Sequence, residues 1–361
     1  MTPRRLSGLF LIFLFVVSVF CPRSTGPVAA AELPRGPQAE VTVAYQPLAS
    51  PGGIIIQAMQ HDRILSRELA RRGMSLRFVA AGKGGDVIPM LQKGDAHFAT
   101  MADMPLIEAV NVVPLSIIGQ LKRNYAMVVG PRGLSAKDLK GKRIGNAFAT
   151  TGHFALLKVL SSAGLSERDV ALVPLDVNLM PDALRNGHVD AFAAWEPTPS
   201  LTIGRNPDRY GAIGRQQSIS FLVSTRAFTA QHPEAARQVA AALVRAMHWF
   251  KVDRSHVITA VRWNIAATEA LTGAKPQVGE REYAKSARAD LEELGYSPKM
   301  SRSLTSKRSL LLDAQEFLKS IGKVPRAAAE DALIGSFTYD IVEDVMKKPT
   351  QYYLSRFDYA P

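Results

Sequence analysis

Short apolar runs alternate with longer runs at helical spacing along most of this chain, the pattern of βα units that build parallel sheets. Val41-Thr42-Val43-Ala44-Tyr45 predicts a strand, Pro51-Gly52-Gly53 a loop, and Ile54 to Glu68 a helix. Leu76-Arg77-Phe78-Val79 is the next strand, Gly82-Lys83-Gly84-Gly85 leads into a helix through Leu91, and Gly94 to Thr100 closes the unit. The plan then recurs: a strand over Arg143 to Phe148, a loop over Thr150 to Gly152, a helix over His153 to Ala163, a strand over Val170 to Val173, and a helix ending near Leu184. At an offset of 93 residues, Leu91-Gln92-Lys93-Gly94 falls on Leu184-Arg185-Asn186-Gly187 and Asp103 on Glu196. That correspondence reads as an internal repeat of one supersecondary plan.

Two such units predict two lobes facing a cleft, because open parallel sheets bind ligands beyond the carboxyl ends of their strands. The facing loops are then Gln46 to Gly53 and Thr100 to Pro105 from the first lobe, with Ala149 to His153 and Trp195 to Pro197 from the second. Tyr125 to Gly130 would carry the chain across and Ile219 to Ser224 would bring it back, a two-segment hinge. The expected division is lobe I over residues 32–125 and 219–361 and lobe II over residues 126–218. Pro233 to Phe250, Val257 to Leu271, Glu280 to Leu294 and Leu310 to Ile321 predict a helical layer over the first lobe, with no evident site of its own. Residues 323–361 form a less regular tail.

The N-terminus changes the setting. Arg4 and Arg5 precede an apolar run of fifteen residues, Leu6 to Phe20, and Ala29-Ala30-Ala31 offers small residues before Glu32. This is the layout of a signal peptide over residues 1–31, and the run is shorter than the roughly 20 residues a bilayer core requires. A periplasmic location is expected. Cys21 lacks the small preceding residue that lipoprotein processing favours. Cleavage removes Arg4, Arg5 and Arg23 and lowers the formal charge from +12 to +9. The basic residues are dispersed with no block of like charge, which argues against nucleic acid and is compatible with anionic small ligands. The processed chain keeps no cysteine, so thiolate chemistry and disulfides are excluded from it. No His-Glu-x-x-His, Gly-x-Ser-x-Gly or Walker pattern occurs, and His188-Val189-Asp190 has no third ligand near in sequence. No catalysis, cofactor or metal is expected.

Candidate chemistry concentrates at Thr150-Thr151-Gly152-His153, where a strand turns into a helix. Free backbone N–H groups and hydroxyls at a helix N-terminus suit an anion, although Thr150 and Thr151 fit equally well as a simple N-cap. Trp195 suggests a pocket wall beside Glu196, Asp103 is either a site carboxylate or an ordinary helix cap, and Gln46, Ser50 and Met101 lie on cleft-facing loops.

Leu139-Lys140-Gly141-Lys142-Arg143-Ile144-Gly145, the Thr-Thr-Gly-His tetrad, Leu184 to Asp190 and Trp195-Glu196-Pro197 together resemble the periplasmic binding proteins of nitrate, sulfonate and taurine ABC transporters. Phe228 to Pro233 resembles their return to the first domain. The resemblance implies an α/β, two-lobed periplasmic-binding-protein fold of the type II kind, with two parallel-rich sheets flanked by helices. It implies a protein that closes on a small acidic molecule and presents the closed form to a membrane permease, and a monomer is expected. Thr150, Thr151 and His153 would hold the anionic head and Glu196 the opposite end. The usual Trp-Asp-Pro is Trp-Glu-Pro here, which is expected to push the carboxylate deeper into the cleft. With Asp103 and Glu196 both facing it, an organic sulfonate or amino-acid-like acid is favoured over a bare inorganic anion. The alternatives are a neutral heteroaromatic ring, such as a thiamine-precursor pyrimidine stacked on Trp195, or an exported enzyme on the same scaffold.

Overall fold

Two strands of unusual length organise the protein. The computed structural model describes residues 39–360 apart from 277 and 308, and the signal-peptide reading and Cys21 lie outside the described residues. β4 (Leu115–Pro131) and β8 (Tyr210–Thr225) pair antiparallel along almost their whole length. Each end of this ribbon carries a parallel trio. β1 (Ala39–Tyr45) lies between β2 (Met74–Ala80) and β3 (Phe98–Ala102), and β3 joins the ribbon through Ser220 to Ser224 of β8. β5 (Arg143–Asn146) lies between β6 (Ala171–Pro174) and β7 (Ala191–Trp195), and β7 joins through Ala126 to Val129 of β4. The two expected sheets are thus halves of one eight-stranded sheet in the order β2-β1-β3-β8-β4-β7-β5-β6. The expected crossing segments fall in the C-terminal part of β4, where it pairs with β7, and near the end of β8, where it pairs with β3.

The helices follow the strands. The first unit contributes α1 (Gly52–His61), α2 (Arg63–Ala70), α3 (Ile88–Lys93) and α4 (Asp103–Ala109). The second contributes α5 (Thr151–Ser162), α6 (Met180–Arg185) and α7 (Thr198–Arg205). The internal correspondence holds at the level of elements: shifting β3 by 93 residues gives β7. Gly94 and Gly187, which end the preceding helices, both take positive φ, at 79° and 70°. Any side chain there would be strained, which is why glycine stands at the matched position.

Beyond the return strand lie α8 (Arg226–Gln231), α9 (Pro233–Val252), α10 (Arg254–Thr272), α11 (Glu280–Glu293) and α12 (Leu310–Ser320), then α13 (Glu330–Ile334) and α14 (Tyr339–Lys347). The apolar faces of α9, α10 and α11 bury against α1, α2 and β1 in one core cluster. α12 instead packs with α4 and with Phe154 and Leu157 of α5, so the helical layer also reaches the second unit. The predicted helix over Ile54 to Glu68 is broken at Asp62, whose Oδ1 accepts from the amides of Ile64 and Leu65 and starts α2. Its Oδ2 takes two hydrogen bonds, of 2.8 and 2.6 Å, from Arg245 of α9. Arg245 also donates to the Tyr352 carbonyl at 2.8 Å and is fully buried. One ion pair therefore joins α2, α9 and the tail, and Ile117 bridges to Phe337 at the far side of β4. Among the described residues no helix is long and apolar enough to cross a membrane.

Removing one partner of a buried pair strands the other charge. Arg245→Met is expected to lower the unfolding free energy by about 3–5 kcal/mol in urea titrations. A loss below about 1 kcal/mol would show that the pair carries no such weight.

Candidate functional site

The middle of the β4–β8 ribbon is polar where a strand core is normally apolar. Gln120, Lys122 and Asn124 of β4 point inward at period two and are all buried, while Arg123 and Tyr125 are exposed. A register shift between Gln120 and Lys122 sets Lys122 opposite Ser220, and both line a small cavity of about 40 Å³. Gln46 and Ser50 after β1, Met101 of β3, Thr150 and Thr151 at the start of α5, and Trp195 of β7 line the same cavity. Six residues singled out from the sequence therefore converge there, from both units.

Each wall has a local cause. Thr150 caps α5: its hydroxyl donates to the Ala147 carbonyl at 2.6 Å and accepts from the His153 amide at 3.2 Å. The first-turn amides of Thr151 and Gly152 have no preceding helical carbonyl to bond, which leaves the positive end of the helix at the cavity. Gly152 itself does not line the space; a Cβ there would come within 2.8 Å of the Ala193 carbonyl oxygen, so its role is to seat α5 against β7. The Thr100 hydroxyl donates to Gln46 Oε1 at 2.8 Å, and Gln46 Nε2 is buried with no hydrogen-bond partner among the described residues. The Trp195 indole N–H donates to the Leu48 carbonyl at 3.1 Å, and the Ser50 amide donates to the Glu196 carbonyl at 3.2 Å.

Three expected ligand contacts are turned elsewhere. The His153 ring is buried against Glu167, with Nε2 2.8 Å from Oε1, and burial holds its pKa below the usual value. Lys323 of the tail reaches the other Glu167 oxygen at 2.7 Å, which completes a structural network. Asp103 is enclosed at the start of α4, accepting from the amides of Met104 and Ile219, and does not line the cavity. Glu196 folds back onto α7, where the Ser200 hydroxyl and amide donate to it at 2.6 and 3.4 Å. The longer side chain is thus held by its own helix and does not reach deeper into the cleft. Neither Asp103 nor Glu196 lines the cavity.

Two groups escaped the sequence reading. Lys122 is 3% exposed, and its ammonium makes no hydrogen bond or ion pair with any described residue. Burial pushes its pKa down, while Asp103, Asp290 and Glu196 oppose that shift. Asp290 comes from α11, in the helical layer expected to hold no site. Its Oδ2 accepts from Asn124 at 3.2 Å and from Ser50 at 3.5 Å. Burial is the main reason its carboxyl is pushed up to about 7, with the Glu196 charge adding to the effect. Burial also raises Asp103 and Glu196. The inward polar stripe at 120, 122 and 124 was the available signal. Nothing local marks Asp290.

The architecture is that of periplasmic binding proteins. The crystal structure of the periplasmic nitrate-binding protein NrtA from Synechocystis PCC 6803 superposes with a TM-score of 0.63 at 11% identity, covering 88% of this chain and 91% of that one. The desulfurization enzyme DSZB shares the fold, with a TM-score of 0.53 at 15% identity over 86% of this chain and 99% of that one. The chain belongs to the family described as NMT1/THI5 like, which matches residues 69–253. It is similar to the taurine-binding periplasmic protein of Escherichia coli (strain K12), with 25% identity over 300 residues, 80% of this chain and 88% of that protein.

In the folded protein Asp290 keeps its proton up to about pH 7, whereas the unfolded side chain releases it near pH 4. Between these limits the folded state binds more protons, so this group's contribution to stability falls as pH rises. Asp290→Asn removes that dependence. The stability of the variant relative to the native chain is expected to grow by up to about 1.4 kcal/mol per pH unit from pH 5 toward 7 and then level off, read from urea unfolding at a series of pH values. A difference constant across that range would mean Asp290 titrates as an ordinary surface carboxyl.

Proposed function

We propose that this protein is the solute-binding component of an ABC importer and that it captures a small organic acid, with sulfonates the leading class, between two lobes. The lobes are residues 39–125 with 219–360, and residues 126–218, joined by β4 and β8. The observation that carries the reading is Lys122: a buried ammonium with no partner among the described residues, facing the Thr150 and Thr151 end of α5 across one cavity. An acid group placed there gains a charge-assisted bond, the free amides of a helix N-terminus and the vacant Gln46 donor. The similarity to a taurine-binding periplasmic protein over most of the chain supports the class of cargo. Export by the N-terminal segment, a periplasmic location, a monomeric state and delivery to a membrane permease belong to the same reading.

With Asp103 and Glu196 bonded internally, the demand for an amine on the cargo falls away, and an acid without one fits equally. Binding by hinge closure draws on the ribbon, since its strands are the only described strands shared by both lobes.

Isothermal titration against ethanesulfonate, taurine and nitrate tests the reading. Lys122→Met is expected to weaken the sulfonates about 10- to 100-fold, the scale of one hydrogen bond to a charged group. Thr151→Val is expected to weaken them about fivefold. Binding of a pyrimidine in place of any acid, or consumption of a bound acid on incubation, would replace this reading by a ring-binding or enzymatic one.

A further inference from the structure

One stretch of the C-terminal helical layer also grips the second lobe. α5 begins at the cavity wall with Thr150 and Thr151, and Phe154, Leu157 and Lys158 follow on one face of it at helical spacing. Phe154 and Leu157 are 2% and 6% exposed. Among the described residues they are the only buried members from 126–218 in the core cluster that holds α4, α12 and Val223 of β8.

The Phe317 ring of α12 meets Phe154 edge-on, with centroids 6.0 Å apart, and the Lys158 ammonium lies 4.4 Å from the centre of the same ring. Just past α12, Lys323 reaches Glu167 Oε2 at 2.7 Å, and its charge also acts on Glu108 of α4. Residues 310–324 therefore hold α5 near its start, at its middle and beyond its end. Opening about the β4–β8 ribbon would draw Phe154 and Leu157 out of a first-lobe core and into water. Burial of a side chain of that size is worth roughly tenfold or more in an equilibrium, so the protein itself favours the closed arrangement before a ligand contributes.

We propose that residues 310–324 are a latch that holds the second lobe against the first without a ligand, and that cargo enters when α12 releases α5. The latch rests on the two-lobed binding reading and adds its regulation. Phe317 and Lys323 are positioning residues in it, since neither lines the cavity. With the latch released, the free protein opens and association is faster. Each binding event must then also close the cleft, which weakens every ligand by one common factor.

Spin labels at Lys93→Cys and Asn186→Cys, exposed positions on opposite lobes, report the lobe distance in the full chain with Cys21→Ser. Without ligand this background is expected to give one distance population that ethanesulfonate leaves in place. Phe317→Ala combined with Lys323→Glu is expected to add a second population that ethanesulfonate removes. By calorimetry and stopped flow, the same pair of substitutions is expected to weaken ethanesulfonate, taurine and nitrate alike, about tenfold, with faster association. A background distance that shifts with ethanesulfonate, or a double variant with the background's single distance, would overturn the latch. A loss confined to one ligand would place these side chains in recognition and overturn it too. Failure of all three ligands to bind would overturn the acid site, while the ligand-free distances still decide the latch. Both side chains are partly exposed, and Lys323→Glu alone, set against Glu167, repeats the test if the double variant does not fold.

Discussion

The structure depends on the antiparallel ladder between β4 and β8. Backbone groups inside a protein must be paired, and these two strands satisfy one another over almost their full length while each offers its outer edge to a parallel trio. Both units are thereby fixed to one ribbon, and the trios attach near opposite ends of it. The polar cavity follows from that geometry. Where the ribbon passes from one unit to the other, its side chains face the loops at the carboxyl ends of both trios, and Lys122 and Ser220 lie opposite each other at that level.

A buried ammonium is costly unless something compensates it, and the surroundings of Lys122 are arranged as incomplete compensation. Three acids lie close enough to oppose the loss of its proton, yet none forms an ion pair with it. Each acid is occupied elsewhere: Asp103 with backbone amides of α4 and β8, Glu196 with Ser200, and Asp290 with Asn124 and Ser50. The charge thus stays available to a ligand acid, whose binding would complete the set. The same arrangement links the units, since Ser50 meets Asp290 of α11 through its side chain and Glu196 through its backbone. His153, by contrast, serves the frame: with Glu167 and Lys323 it ties the start of α5 to the tail.

Much of this was legible along the chain. Period-two and helical spacing located both βα units, the offset of 93 residues located β3 and β7 as equivalents, and the strand-to-helix turn at Thr150 located one wall of the cavity. These are local properties: propensity, capping and glycine at positive φ act within a few residues and leave a local signature. The sequence by itself determined most of the strands and helices of the two βα units, their order, and six of the cavity-lining residues. Tertiary structure decided which polar groups were left over for a ligand. Glu196 and His153 looked equally available until Ser200 and Glu167 were seen to take them. Asp290 had no mark of a site until α11 brought it to Asn124, 166 residues away along the chain. Whether a polar side chain is spent or free depends on its partners across the fold, and burial, which moves its charge, is a property of the packed molecule.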